Sequence, residues 1–134
     1  MSEPLPKPTV RWLFTSFHGR IGRKSFALGA LLLLLVQVAL FTWVLSFGDG
    51  ESSVVELEDG DALLVGIVFL AFWAFAAWGL LAMAVKRLHD LNLPGILAVV
   101  LLLPAIAFLG WLFLAFVPGS RQTNQHGPPP FVRD

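Results

Sequence analysis

The sequence predicts an all-α fold: an integral membrane bundle of three transmembrane helices, preceded by a short N-terminal interfacial helix. Of the 134 residues, 57% are hydrophobic and 13% are charged, against about 25% charged in soluble domains. Three runs, 27–47, 62–85 and 96–117, contain no Asp, Glu, Lys, Arg or His. Each reaches roughly the 20 residues with which a helix crosses a bilayer core of about 30 Å. The chain should therefore fold as one membrane domain.

The runs should be helices because lipid offers no water to unpaired backbone groups, and the alternating pattern of a barrel strand is absent. The chain has no cysteine. This excludes disulfides, thiol nucleophiles and thiolate metal sites.

The chain begins with two segments of different character. Residues 1–8 contain three prolines and predict a flexible tail, because proline breaks both helix and strand pairing. Segment 9–26 is interfacial and basic: its Trp and Phe side chains favour a short helix at the headgroup level. Arg20, Arg23 and Lys24 then precede the first span. We interpret 27–47 as an uncleaved anchor, since it is long for the apolar part of a secretory signal.

The charges predict the orientation of the first span. Five cations precede it, whereas segment 48–61 holds six acidic residues and no Lys or Arg. The positive-inside bias therefore places the N-terminus in the cytoplasm and the acidic loop outside. The spacing of the acids is not that of a calcium-binding EF-hand loop, so a solvated loop is the simpler interpretation.

Span two, 62–85, is the expected central helix, and three residues are assigned to helix packing. Gly66 and Gly79 allow a neighbouring helix to approach closely. Gln37, the one strongly polar residue in the middle of span one, should hydrogen-bond to a neighbouring helix or to a second copy of the chain. A homo-oligomer is thus one expected association.

The densest group of charged residues follows span two, in the basic inside loop 86–95. Lys86 and Arg87 suit a cytoplasmic helix end because they follow the positive-inside bias and complement the negative end of the helix dipole. Arg87 and Asp90 could pair as i, i+3 neighbours. Arg20, Arg23 and Lys24 should lie at the same face. These cations, with His89 and Asp90, are expected to engage anionic phospholipid headgroups or a membrane protein partner.

The third run, 96–117, contains Pro104 near its middle, and a Pro/Gly-rich tail follows at 118–134. Three full crossings would place that tail outside, away from the other charged motifs. A re-entrant segment broken at Pro104 would return it to the cytoplasmic face. We favour three crossings because 22 residues are too few for two full spans.

Three motifs resemble those of a family of small bacterial inner-membrane proteins, domain-of-unknown-function family 805. The first is Gly-Arg-Ile-Gly-Arg-Lys-x-Phe at 19–26. The second is Arg-Arg-Leu-His-Asp followed by glycine, present here as Lys-Arg-Leu-His-Asp at 86–90 with Gly95. The third is a tail with Pro118 and Gly119, then Asn124, Gly127 and Pro128. Departures from the family pattern occur at Lys86, Ile96, Leu97, His126 and Pro129. The resemblance implies a multi-pass protein of the bacterial inner (cytoplasmic) membrane and brings no established activity.

The residues favour a non-enzymatic function. No phosphate-binding glycine loop is present, and the nucleophile and base candidates at the membrane face reduce to Ser25, His89 and Asp90. His18, His89 and His126 lack a local ligand spacing, so neither a metal nor a cofactor is expected, and no nucleic-acid partner is expected. A small oligomeric transport or channel component is the alternative, although the spans carry no ionisable residue. A lipid-modifying enzyme built on His89 and Asp90 is a third.

Overall fold

A computed structural model describes residues 9–46 and 59–130. Its helices are α1 (Val10–Thr15), α2 (Arg23–Leu45), α3 (Asp59–Asp90), a 3-10 helix (Gly95–Leu102) and α4 (Pro104–Phe116). The described residues form no strand beyond an isolated bridge between Asn124 and Gly127, so the all-α prediction is confirmed. Two helices, Arg23–Leu45 and Leu63–Asp90, are long and apolar enough to cross a membrane. The predicted N-terminal tail 1–8, and all of the acidic loop 48–61 before Asp59, lie outside the described residues.

Helix α1 forms within the segment predicted to be a short helix. Thr9 caps it: the Trp12 backbone N–H donates to Thr9 Oγ1 at 3.1 Å, as a threonine N-cap does. Phe14 is buried, and its ring lies over Gly79 of α3. Helix α1 therefore packs against α3.

Helices α2 and α3 pack along a stripe of side chains spaced three or four residues apart. On α2 the buried residues are Phe26, Gly29 and Leu33, a spacing that puts them on one helix face. The sulfur of Met83 on α3 lies close against Gly29. The rings of Phe26 and Trp111 stack with centroids 5.3 Å apart. This contact joins α2 to α4 near the start of α2.

The third apolar run does not form one helix. A 3-10 helix occupies Gly95–Leu102, and α4 begins at Pro104, because proline lacks the N–H and the space that a helix interior requires but suits a first turn. The two pieces span only about 16 Å and about 20 Å. Gly95 packs against His89, and Leu114 O accepts from Arg87, so the segment leaves the end of α3 and returns to it. The favoured prediction of three full crossings is not confirmed: the end of this segment and the tail lie at the end of α3 that carries Arg87 and Asp90.

Candidate functional site

Arg20 connects three parts of the chain that are distant in sequence. It lies between α1 and α2, is 5% exposed, and uses all five of its N–H donors. Nε and Nη2 donate to Asp90 Oδ1 at 3.2 and 2.9 Å. Backbone oxygens of the tail accept the rest: Ser120 from Nη2 at 2.6 Å, and Gln122 and Gly127 from Nη1 at 2.9 Å each. These hydrogen bonds of Arg20 hold the tail against the end of α3.

Asp90, the last residue of α3, holds two guanidinium groups at once. Its Oδ1 accepts from Arg20 and its Oδ2 accepts from Nη1 of Arg87, one turn earlier. Its backbone oxygen accepts from the Ser120 N–H at 2.9 Å. One carboxylate between two guanidinium groups leaves a formal charge of about +1 in a buried place. Backbone carbonyl dipoles around the arginines balance this excess.

Arg87 ties the end of α4 to the end of α3. Its Nε donates to Leu114 O at 2.8 Å, and its Nη2 donates to Val117 O. The last carbonyls of a helix have no partner within the helix, and they carry the negative end of its dipole. A buried cation donates hydrogen bonds to these carbonyls and interacts favourably with the dipole. Arg87 of α3 therefore acts as a C-terminal cap for α4.

Lys86 caps the C-terminal end of α1 in the same way. It is 0% exposed, and its Nζ donates to the backbone oxygens of Trp12 and Leu13 at 2.7 and 2.6 Å. The ammonium also lies 4.3 Å from the centroid of the Trp12 ring, a cation–π distance. Consecutive cations on α3 therefore cap two different helices.

His89 and the tail turn at Asn124 and Gly127 meet at the same end of α3. His89 Nδ1 lies 3.3 Å from Gly19 O; since a carbonyl only accepts, Nδ1 carries the hydrogen. Asn124 Nδ2 donates to the backbone oxygen of His89 at 2.9 Å. The His126 ring lies parallel to the His89 ring, with centroids 3.9 Å apart. The turn is held by its side chains as well as by Arg20.

Two glycines in this region have no room or no backbone freedom for a side chain. A Cβ on Gly119 would overlap the Asp90 carboxylate. Gly19 has φ +95, and a Cβ there would come within 2.7 Å of the Trp12 ring. Glycine at these positions therefore permits close packing of the backbone around the charged cluster, which we define as Arg20, Lys86, Arg87 and Asp90.

Two cavities flank the docked tail. One, of about 460 Å³, lies between Trp12, His18 and the tail residues from His126 to Pro130. The other, of about 500 Å³, is bordered by Arg23, Lys24 and Arg121, all of which are exposed. The surface around the second cavity is thus basic and open to solvent.

The structure brings together most of the predicted site residues. Seven of them meet at one end of α3, and Pro128 lines the first cavity; the seven are Arg20, Lys86, Arg87, His89, Asp90, Asn124 and Gly127. Arg23 and Lys24 lie nearby but remain exposed. We expected Arg20, Lys86 and Arg87 to engage anionic lipid or a membrane partner; in the structure they are buried and donate to oxygens of the chain itself, and the expected binding stays a prediction.

The three predicted packing residues have different environments. Gly79 is buried, and its Cβ position lies 3.2 Å from Phe14 and 3.6 Å from Leu33. Gly66 has nothing within 4 Å, so its expected role finds no support among the described residues. Gln37 follows Leu33 on the same face of α2 and is half-buried. It makes no hydrogen bond within 9–46 and 59–130.

The i, i+3 spacing identified one partner of the cations, Asp90 for Arg87, but the other partners could not be identified from the sequence. These are mostly backbone oxygens, such as those of Leu114, Val117 and Gln122, and every residue has one. For the tail, the one signal was the Pro118–Gly119 pair, whose glycine the close approach to Asp90 requires.

The cluster is built to hold the fold together. Both oxygens of Asp90 accept from arginines, which leaves this carboxylate poorly placed to act as a base. No group of three His, Asp or Glu side chains in the described parts of the chain could hold a metal ion. The buried charges therefore serve tertiary structure, whereas Arg23, Lys24 and Arg121 remain exposed.

Comparison with known proteins gives one result. Residues 14–128 match the family model described as Protein of unknown function (DUF805). No curated protein and no solved structure has a significant match to the chain. The match begins in the last turn of α1 and ends just after the tail turn, and it includes Arg20, Lys86, Arg87 and Asp90. The chain belongs to the DUF805 family.

Proposed function

We propose that this chain is a non-enzymatic integral protein of the bacterial cytoplasmic membrane that binds anionic phospholipid headgroups at its charged end. One observation carries the proposal: Arg23, Lys24 and Arg121 remain exposed around a cavity of about 500 Å³, at the polar end of two apolar helices. The neighbouring cations Arg20, Lys86 and Arg87 donate instead to oxygens within the chain.

In the proposed arrangement α2 and α3 cross the bilayer, and the segment from Gly95 to Val117 enters it and returns. The 3-10 helix and α4 span about 16 and 20 Å, which is less than the hydrocarbon core of about 30 Å. The charged cluster, the N-terminus and the tail then share the cytoplasmic face. The positive-inside bias supports that side.

The outer surface of the helices suits a lipid environment. Leu28 of α2, Leu70 of α3 and Phe108 of α4 are 67%, 70% and 69% exposed. They belong to a larger set of exposed apolar side chains spread over all three helices. Monomeric soluble proteins rarely expose contiguous apolar surface on this scale.

The basic cavity offers several features that favour an anion. Helix α2 starts beside it at Gly22, with no side-chain cap and no acidic residue in its first turn. Its free N–H groups and the positive end of its dipole therefore favour a negative group. Arg23, Lys24 and Arg121 add three cations. Among the described residues at the cavity, Asp90 has the one carboxylate, and it is already paired with two arginines.

The proposal is tested with protein in nanodiscs of zwitterionic lipid doped with phosphatidylglycerol or cardiolipin, followed by native mass spectrometry of the bound lipids. The triple variant Arg23→Gln, Lys24→Gln, Arg121→Gln should lose its preference for anionic lipid by at least about tenfold, since each basic residue near such a surface contributes about 1 kcal/mol. Arg11→Gln, which removes another exposed cation, is the matched control and should retain the preference. An unchanged preference in the triple variant would contradict the proposal.

A further inference from the structure

The tail is attached to α3 by a pair of parallel histidine rings. The rings of His89 and His126 lie 3.9 Å apart with an angle of 8° between their planes. We infer that this pair is an acid-sensitive latch. It holds the turn from Asn124 to Gly127 on the end of α3 while at least one imidazole is neutral, and it releases the turn when both are protonated.

The hydrogen bonds of the pair are those of neutral rings. His126 Nε2 lies 3.3 Å from Nε2 of Gln125. With the amide nitrogen as the donor, the His126 ring nitrogen is the acceptor in this contact, as in a neutral imidazole. His89 donates from Nδ1 to Gly19 O, which requires no charge. Two neutral rings can stack at this distance, and one charged ring can stack on a neutral one.

Among the described residues, a second proton would meet no free anion. In that part of the chain the charged and titratable groups near the pair are His18 and Arg20 from the connection between α1 and α2, and Lys86, Arg87 and Asp90 from α3. Gly95, which touches the His89 ring from the 3-10 helix, is not titratable, nor is Gln125 of the tail. Asp90 is the only acid among them, and both of its oxygens are taken.

Two unit charges about 4 Å apart, at an effective dielectric constant of about 20, repel strongly enough to shift the equilibrium between the docked and the open turn toward the open turn by more than about tenfold. Opening relieves that repulsion by moving the His126 ring away from α3. The bond from Asn124 to the His89 backbone and that from Arg20 to Gly127 are lost with it. Ser120 and Gln122 stay bound to Arg20, so the turn opens while the first part of the tail remains docked.

The latch is tested by spin-label distances in the cysteine-free chain. Val10→Cys and Thr123→Cys place labels on two exposed positions, one on α1 and one beside the turn, in nanodiscs of zwitterionic lipid. From about pH 7.5 to about pH 5, a range in which histidine titrates, the population at long distance should rise at least about tenfold. An unchanged distance distribution would overturn the proposal.

Two variants test whether the acid response comes from the pair formed by His89 and His126. His126→Phe keeps a ring on His89 but cannot be protonated, so it should abolish the acid response. His18→Gln removes a histidine outside the pair and should keep most of it. A response in His126→Phe equal to that of the parent, or its equal loss in both variants, would contradict the latch.

The native chain gives an independent readout. In nuclear magnetic resonance spectra of the protein labelled at histidine and glycine, the ring signals of His89 and His126 and the amide signal of Gly127 should change over the same pH range. Independent titration of the two rings with a fixed Gly127 signal would overturn the proposal. Neither measurement uses anionic lipid, so this failure would leave the headgroup proposal standing.

Discussion

The two ends of α3 differ in which side chains they bury: charged side chains are buried at the last turns, whereas apolar side chains are exposed toward the start. At its last turns Lys86 and Arg87 are 0% exposed and Asp90 is 2% exposed. Toward its start, Leu70 is 70% exposed, and a Cβ added to Gly66 would meet no side chain or neighbouring element within 4 Å among the described residues. A helix of a soluble protein would bury the apolar end and expose the charged one. This contrast shows that packing around α3 is concentrated where the charges are.

The bilayer setting that we propose explains the contrast. Lipid tails are as apolar as leucine, so no hydrophobic force drives the apolar ends of helices together. Charged groups near the membrane face can instead be satisfied by each other and by helix-end carbonyls. The cluster around Asp90 therefore determines how α1, α4 and the tail are arranged, and the following substitutions test this.

The largest effect is expected from Asp90→Asn, which keeps the size of the side chain and removes its charge. Arg20 and Arg87 would remain buried without a counter-ion, and loss of one partner of a buried ion pair costs about 3–5 kcal/mol. Reversible unfolding in mixed micelles measures the free energy of unfolding. Arg121→Gln, at an exposed position beside the cluster, is the control and should change it little. A loss below about 1 kcal/mol in Asp90→Asn would be evidence against a central role for the cluster.

A smaller loss is expected from Gly119→Ala. The added methyl group would overlap the Asp90 carboxylate, so the backbone of the tail must move away from α3. Overpacking of this kind costs about 2–3 kcal/mol. Limited proteolysis should cut the variant after Pro118 faster than the parent. Equal rates would show that the tail is not held against Asp90.

Lys86→Met should have a moderate effect centred on α1. Methionine fills much of the same space but donates nothing to the backbone oxygens of Trp12 and Leu13. The expected loss is about 1–2 kcal/mol, as for buried acceptors that lose a donor. Fluorescence quenching of Trp12 in a background without the other tryptophans measures the release of α1. Unchanged quenching would contradict the capping role.

The smallest effect, with the opposite sign, is expected at the apolar end. Gly66→Ala adds a methyl group in open space and improves helix propensity by up to about 1 kcal/mol. The unfolding measurement used for Asp90→Asn should detect no loss. A clear destabilisation would mean that a helix or a second copy packs there, and would weaken the comparison between the two ends.

The sequence was sufficient to predict α2 and α3, but not to predict how the helices and the tail are arranged. Apolar runs of about 20 residues predict α2 and α3 because lipid leaves few alternatives, and i, i+3 spacing suggested the pair between Arg87 and Asp90. The burial of Arg20 had no signal, since its partners include Asp90, 70 residues away, and three backbone oxygens of the tail. Pro104 indicated a break in the third apolar run. Whether the chain after the break crosses the bundle or turns back depends on the contact between Leu114 and Arg87, which is a tertiary contact that the sequence does not show.

The central claim is that the tail docks at the same end of the bundle as Arg20 and Asp90. Its most direct test is the side of the membrane that each chain end occupies, measured with a compartment-sensitive reporter fused before Met1 or after Asp134. The account predicts that both reporters are active as cytoplasmic fusions. A cytoplasmic N-terminus with an exported C-terminus would contradict it, because the tail could not then reach Arg20.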